Sequence, residues 1–309
     1  MLPFKLVHHK DYDLHIGAHV FPSNKFRLIR EKLVADKVAG PEDFLTPERA
    51  TEEQLTTVHT ADWVRRLRQG QLTFEEVLHL EIPYSGEMVS AFFLAAGGSI
   101  LAARCALEDG FAYNAGGGFH HAYAGHGEGF CAINDVAVAA RCMIAEKRIE
   151  RALVIDCDVH QGNGTAAIFA DDPQVFTISI HQFHNYPAVK PPSNIDIHLE
   201  DGVGDEEYLQ KLAEKYVPAL DDFRPELVLY VAGADPYMHD QLGGLALTMQ
   251  GLQTRDRLVI EACAQRRIPI FSTLAGGYAS SLNDTITIQS NTAKVMAEVA
   301  ANTRSQISG

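Results

Sequence analysis

Asp156, Asp158 and His160 stand at alternate positions in Asp156-Cys157-Asp158-Val159-His160-Gln161-Gly162-Asn163-Gly164-Thr165, directly after the apolar run Ala152-Leu153-Val154-Ile155. A short apolar run bounded by polar and glycine residues reads as a buried strand. Strand alternation places Asp156, Asp158 and His160 on one side, with Cys157 and Val159 on the other. Two carboxylates and an imidazole past the end of a buried strand suit a divalent cation, because burying that much charge without one is very costly. A helix cap followed by a glycine-rich turn is the competing reading. Capping accounts for one acidic residue, not for three aligned ligand types.

Such residues need elements to hold them, and the chain supplies a regular β–α alternation. Expected strands are Phe4-His8, Phe111-Asn114, Ala152-Asp156, Val175-Ile180, Leu227-Ala232 and Pro269-Leu274. Expected helices are Ser23-Leu33, Glu87-Leu107, Ile133-Glu146, Asp205-Phe223, Leu247-Arg266 and Asn283-Ala301. This order predicts an α/β fold, a mostly parallel central sheet with helices on both faces. No repeat, low-complexity tract or linker divides the chain, so residues 1–309 read as one domain. In such sheets ligands collect beyond the carboxyl ends of the strands. Four expected strands deliver chemically capable residues there: Gly116-Gly117-Gly118-Phe119-His120-His121, Asp158 with His160, Gly233-Ala234-Asp235, and Gly276-Gly277-Tyr278.

Composition narrows the function class. Among 309 residues, 26 Lys plus Arg stand against 40 Asp plus Glu, a formal net charge of -14. That balance argues against nucleic acid or an anionic membrane as the main partner. Five scattered cysteines, with no C-x-x-C pair, read as buried thiols in a reducing compartment. The N-terminus shows no long apolar signal region, and no stretch reads as the ~20 apolar residues of a bilayer span. A cytoplasmic protein is expected.

Several segments, in order, resemble the zinc-dependent histone deacetylase family, whose fold is related to that of arginase. They are Gly117-Gly118-Phe119-His120-His121-Ala122, Gly129-Phe130-Cys131-Ala132-Ile133-Asn134-Asp135, Asp156 to Thr165, Gly233-Ala234-Asp235 and Gly276-Gly277-Tyr278. His19-Val20-Phe21-Pro22 with Lys25-Phe26 extends the match, which runs from about residue 15 to about residue 280. Gln161, Asn163 and Leu274-Ala275-Gly276-Gly277-Tyr278 are most similar to the class IV and bacterial deacetylase-like branch.

The resemblance implies zinc held by Asp158, His160 and Asp235, a three-ligand set that leaves a position open for water and a substrate carbonyl. Ferrous iron would suit the same donors. It makes His120 and His121 a tandem acid–base pair, partnered by Asp156 and Asn163 respectively. An anionic partner should favour the charged form of His120, and a neutral amide should leave His121 near its reference value of about 6.5. Tyr278 matches the hydroxyl that stabilises the oxyanion. Gly129, Phe130 and Leu242 match the walls of an acyl-lysine tunnel, whose opposite wall falls within Phe183-His184-Asn185-Tyr186. Asp156, Asp158, His160, Ser179 and Ile180 match a monovalent-cation site suited to potassium.

The function implied is removal of an acyl group from the ε-amino group of lysine in proteins or peptides. Acetylated polyamines or other small N-acyl amines are an alternative substrate class, for which Glu81 or Asp240 would serve as a gate carboxylate. An inactive acyl-lysine-binding protein on the same scaffold is the alternative of another class, and the complete set of ligands, histidines and tyrosine argues against it. Arginase-like two-metal hydrolysis would need further carboxylates around Asp158 and Asp235. Acyl chains longer than acetyl are expected to be accepted, on the resemblance and on two arguments from the residues. Glycines at 116–118 and 276–277 would leave space, and Phe130, Ala115, Ala132 and Ala275 would line it. Each buried methylene would contribute up to about 0.8 kcal/mol.

Overall fold

The computed structural model of the chain describes residues 2–307. The chain begins with β1 (Lys5–Val7), α1 (Lys25–Ala35), β2 (Phe44–Leu45) and three short helices, α2 (Glu52–Leu55), α3 (Ala61–Gln69) and α4 (Phe74–Leu80). Then come α5 (Gly86–Asp109), β3 (Phe111–Asn114), α6 (Asp135–Ala145), β4 (Ala152–Asp156), α7 (Asn163–Ile168), β5 (Val175–Gln182) and β6 (Ile195–Leu199). The rest is α8 (Asp205–Phe223), β7 (Leu227–Val231), α9 (Met249–Arg266), β8 (Ile270–Thr273) and α10 (Leu282–Ile307). The eight strands form one sheet in the order β2-β1-β3-β8-β7-β4-β5-β6. Every pairing is parallel, an arginase/deacetylase-type sheet with helices on both faces.

Burial explains why the sequence pattern was readable. Phe-Ala-Tyr-Asn of β3, Ala-Leu-Val-Ile-Asp of β4, Leu-Val-Leu-Tyr-Val of β7 and Ile-Phe-Ser-Thr of β8 are buried at every position. Strands covered on both faces carry continuous apolar runs rather than alternation. The same strands, β3, β8, β7 and β4, are consecutive neighbours in the centre of the sheet. All four of the expected strand-end segments therefore emerge side by side, along one end of the sheet.

Two strands escape the apolar-run pattern: β2 has two residues, and β6 is a partly exposed edge strand. One sequence expectation needs correction. Helix α5 is long and apolar enough to cross a membrane by length and composition, with a mean hydropathy of 1.6 over 18 residues. That window is 78% buried within the fold, so α5 is a core helix. Small residues make this possible: Gly97 and Gly98 of α5 admit Glu48 and Tyr12 where a Cβ would collide with them. Ser85 caps its first turn by accepting from the Met88 amide at 3.0 Å.

Candidate active site

The alternation expected from Asp156 to His160 stops at Asp156, the last residue of β4. Asp158 and His160 converge because the loop folds on its own carboxylates. The Asp158 amide donates to Asp156 Oδ1 at 3.1 Å, and the His160 amide donates to Asp158 Oδ1 at 3.0 Å. The loop after β7 joins them, since the Val159 amide donates to Asp235 Oδ1 at 2.9 Å. The loop after β8 closes the group, with Gly276 N donating to Asp158 Oδ2 at 2.8 Å. Buried Arg255 of α9 ties two of these loops together, donating from Nη1 to the carbonyls of Cys157 and Gly233 at 3.2 and 2.7 Å.

Asp158, His160 and Asp235 then offer donor atoms that all lie within 4.8 Å of one another. Asp235 Oδ2 is buried without a hydrogen bond and sits 3.4 Å from His160 Nδ1. Leaving a charged oxygen unsatisfied in the interior is costly. Burial, with the Asp158 charge adding to it, pushes the Asp235 carboxyl up to about 7. Burial alone would lower the His160 pKa, but its bond to Asp158 and the nearby Asp235 carboxylate drive it up to about 10. The protein chain alone thus leaves this cluster short of positive charge. The three residues fit a divalent cation.

His120 and His121 follow the turn after β3. Gly118 adopts φ +88, and a Cβ there would lie 2.4 Å from the Ala275 amide, so only glycine lets the β3 and β8 loops touch. The amides of Gly118 and Phe119 donate to the Asp135 carboxylate at the start of α6, at 3.0 and 2.8 Å. His120 Nδ1 lies 2.6 Å from Asp156 Oδ2, and His121 Nδ1 lies 2.7 Å from Asn163 Oδ1.

Burial opposes the charged form of His120, yet Asp156 and Asp158 outweigh it and push its pKa up to about 9. Burial and the charges on His120 and His160 hold His121 well below the usual range. The expectation of an ordinary value for His121 is therefore corrected: it rested on the neutral partner and omitted burial and the neighbouring imidazoliums. The contrast between the two histidines stands.

A cavity of about 180 Å³ opens onto this cluster. His121, His160 and Tyr278 form its floor; Gly129, Phe130, Tyr186, Asn185, Leu242 and Glu81 form its walls. Within Phe183-His184-Asn185-Tyr186, the wall is thus Tyr186 with Asn185. Gly129 has φ +52, and a Cβ there would meet the His121 ring at 2.8 Å and Tyr186 at 3.0 Å. Phe130 takes φ +67, an unusual conformation for an aromatic residue. The Tyr278 hydroxyl makes no hydrogen bond to any described residue, while its amide donates to Asp240 Oδ2 at 2.7 Å.

Three further expectations change. Ala115, Ala132 and Ala275 are buried and do not line the cavity. The glycines leave no spare room, because a Cβ on Gly116 would meet Tyr12, on Gly117 Asp135, and on Gly276 Asp235. Asp240 is no gate: its carboxylate accepts from the amides of Leu242, Gly243 and Tyr278. Ser179 stands in register with Asp156 on the neighbouring strand, with its Oγ 2.9 Å from His181 Nδ1, and Ile180 follows it in β5.

Sequence reasoning gave no role to Lys25, Arg255 or Glu128. Lys25 is fully buried, and its Nζ donates to the Ala275 carbonyl at 2.6 Å. Burial lowers its pKa to about 8 against the pull of Asp235, Asp158 and Asp240. A lysine near the start of a helix usually signals solvent, so no sequence cue pointed inward.

Residues 19–293 match the histone deacetylase domain. An uncharacterized protein of Picosynechococcus is 42% identical over 284 residues, covering 92% of this chain and 95% of its own. Histone deacetylase 2 of Arabidopsis thaliana is 32% identical over 272 residues, covering 85% of this chain and 70% of its own. The crystal structure of the HDA15 HD domain superposes with a TM-score of 0.78 at 22% identity, covering 98% of this chain and 92% of that one. With that domain matched over most of its length, on the parallel sheet described above, the chain belongs to the histone deacetylase family.

Proposed function

We propose that this chain is a zinc-dependent hydrolase that removes a short acyl group, acetyl above all, from the ε-amino group of lysine in a protein or peptide. The observation that carries the reading is the convergence of Asp158, His160 and Asp235 beside a cavity that His160 lines together with His121 and Tyr278. Asp158, His160 and Asp235 would hold the zinc, or ferrous iron in its place. Bound there, the metal supplies a Lewis acid for the acyl carbonyl and makes water more acidic.

The chain's own groups do the rest. Phe130, Tyr186 and Leu242 enclose the lysine stem, and the Gly129 carbonyl accepts from the substrate amide N–H. As water adds to the acyl carbon, His121 takes its proton and passes it to the departing amine, giving a carboxylate and free lysine. Tyr278 donates to the oxygen on which negative charge develops. His120, kept charged by Asp156, adds positive charge behind His121. Potassium held by Asp156, Asp158, His160, Ser179 and Ile180, largely through backbone carbonyls, would steady the same loops.

His120 gives the reading a pH signature. Its pKa, about 9, lies above the ordinary value, so its charge persists through neutrality and is lost as pH rises through that value. Asp156→Asn removes the nearest anion and should move the alkaline fall of kcat/KM toward neutral pH. An alkaline limb in the variant unmoved from the wild type would detach His120 from Asp156.

The packing favours acetyl, since the glycines expected to leave room for long chains abut Tyr12, Asp135, Ala275 and Asp235 instead. A peptide series carrying acetyl, butyryl, octanoyl and myristoyl lysine should show kcat/KM falling with chain length. A preference for octanoyl or myristoyl would reject the short-acyl reading. Glu81 at the cavity wall is the one observation favouring small cationic amines. Acetylated polyamines belong in the same series, and turnover of these above the peptides would select that alternative.

A further inference from the structure

Glu128 makes contacts that the chemistry above leaves unused. It is half-buried in the turn before Gly129, held by reciprocal backbone hydrogen bonds with Cys131 of 3.1 and 2.9 Å. Its Oε1 accepts from Asn163 Nδ2 at 2.5 Å and from the Tyr186 hydroxyl at 2.8 Å. Its Oε2 lies 3.3 Å from His126 Nε2. Asn163 is therefore held between a carboxylate on one side and His121 Nδ1 on the other.

An amide has two unlike ends, for its oxygen only accepts and its nitrogen only donates. An ionised carboxylate cannot donate, so Glu128 draws Nδ2 toward itself and turns Oδ1 to His121. Facing an acceptor, neutral His121 must carry its proton on Nδ1, and Nε2 keeps a lone pair toward the cavity. Rotated by half a turn, the same amide would present N–H to Nδ1 and move the proton to Nε2, where no base would remain.

We infer that Glu128 is a positioning residue of the active site: acting through Asn163, it fixes the His121 tautomer whose Nε2 can accept a proton. The anion that could sit directly on the histidine is placed one amide further out. The same carboxylate anchors Tyr186, so the base and the cavity wall share one support. The catalytic consequence rests on the hydrolase reading; the tautomer does not.

Position 163 is thereby tied to position 128. Asn163→Asp alone would set two carboxylates at the separation where an amide and a carboxylate now bond, and like charges that close disfavour each other. Adding Glu128→Gln to Asn163→Asp would restore a donor–acceptor pair and leave an oxygen for His121.

The experiment is ¹⁵N NMR of histidine-labelled, zinc-loaded protein at alkaline pH, with His121 assigned by its loss in His121→Gln, alongside kcat and KM. The wild type should show Nδ1 protonated and Nε2 bare. Glu128→Leu should give a mixed or reversed tautomer and a kcat lower by roughly 10–100-fold, the usual cost of losing an outer-shell partner. Asn163→Asp alone should be impaired, and Glu128→Gln with Asn163→Asp should recover both tautomer and kcat. An Nε2-protonated wild type, an unaltered tautomer and kcat in Glu128→Leu, or a double variant no better than Asn163→Asp would each overturn the inference. Should Glu128→Leu not fold, the double variant against Asn163→Asp carries the test. The tautomer shift found in a protein that hydrolyses no acyl-lysine would support the positioning role and reject the hydrolase reading.

Discussion

Replacing Asp235 by Asn is expected to take the zinc content from about one ion per chain to near zero and to remove activity, because two remaining ligands are too few for tight binding. The expected loss in kcat/KM is roughly 10³-fold or more, since a metal contributes several kcal/mol to the transition state and each ~1.4 kcal/mol is tenfold. The stability of the metal-free protein separates this role from a structural one. Asp235 Oδ1 accepts from the Val159 amide, which an asparagine oxygen can still do. Its Oδ2 has no hydrogen bond and lies in a cluster already carrying the Asp158 carboxylate. Removing that charge relieves the metal-free protein, so Asp235→Asn should melt no lower than the metal-free wild type. Elemental analysis showing undiminished zinc, or a variant several degrees less stable than the apo wild type, would show that Asp235 serves the fold instead.

The legible part of the site was the part that buried strands deliver. Short, mostly apolar segments marked β3, β4, β7 and β8, and the residues just past them supply the Asp158, His160 and Asp235 cluster and the cavity residues His121 and Tyr278. Strand periodicity still gave a wrong reason for Asp158 and His160, which are aligned by loop hydrogen bonds beyond the end of β4. Glycines misled more seriously. From sequence, a glycine that makes room for a ligand cannot be told from one that makes room for another backbone, and Gly118 against Ala275 is of the second kind. Glu128 was invisible because its partners Asn163 and Tyr186 lie 35 and 58 residues away. Arg255 and Lys25 were unreadable for a related reason: carbonyls from distant loops receive both cations, alongside the Asp256 carboxylate beside Arg255.

Tyr278→Phe should lower kcat by roughly 10²–10³, the cost of deleting one donor to a developing oxyanion, with little change in KM. The packing around Tyr278 makes the substitution clean. Its ring sits among Phe21, Phe130 and His160, with centroids 6.1, 6.1 and 6.4 Å away, and its amide is fixed on Asp240. A phenyl ring keeps all of these contacts. The hydroxyl is bonded to no described residue, so the folded state loses no hydrogen bond and the melting temperature should hold. Burial, reinforced by the Asp158 and Asp235 charges, raises the phenol pKa well above 10. Tyr278 is therefore a neutral donor throughout the working pH range, and the defect should be the same size at acid and alkaline pH. That separates it from the Asp156→Asn defect, which should grow as pH rises. A Tyr278→Phe enzyme with raised KM and unchanged kcat would place the hydroxyl on the ground-state substrate. A variant with wild-type kinetics would leave Tyr278 as a packing residue, and the oxyanion would need another donor.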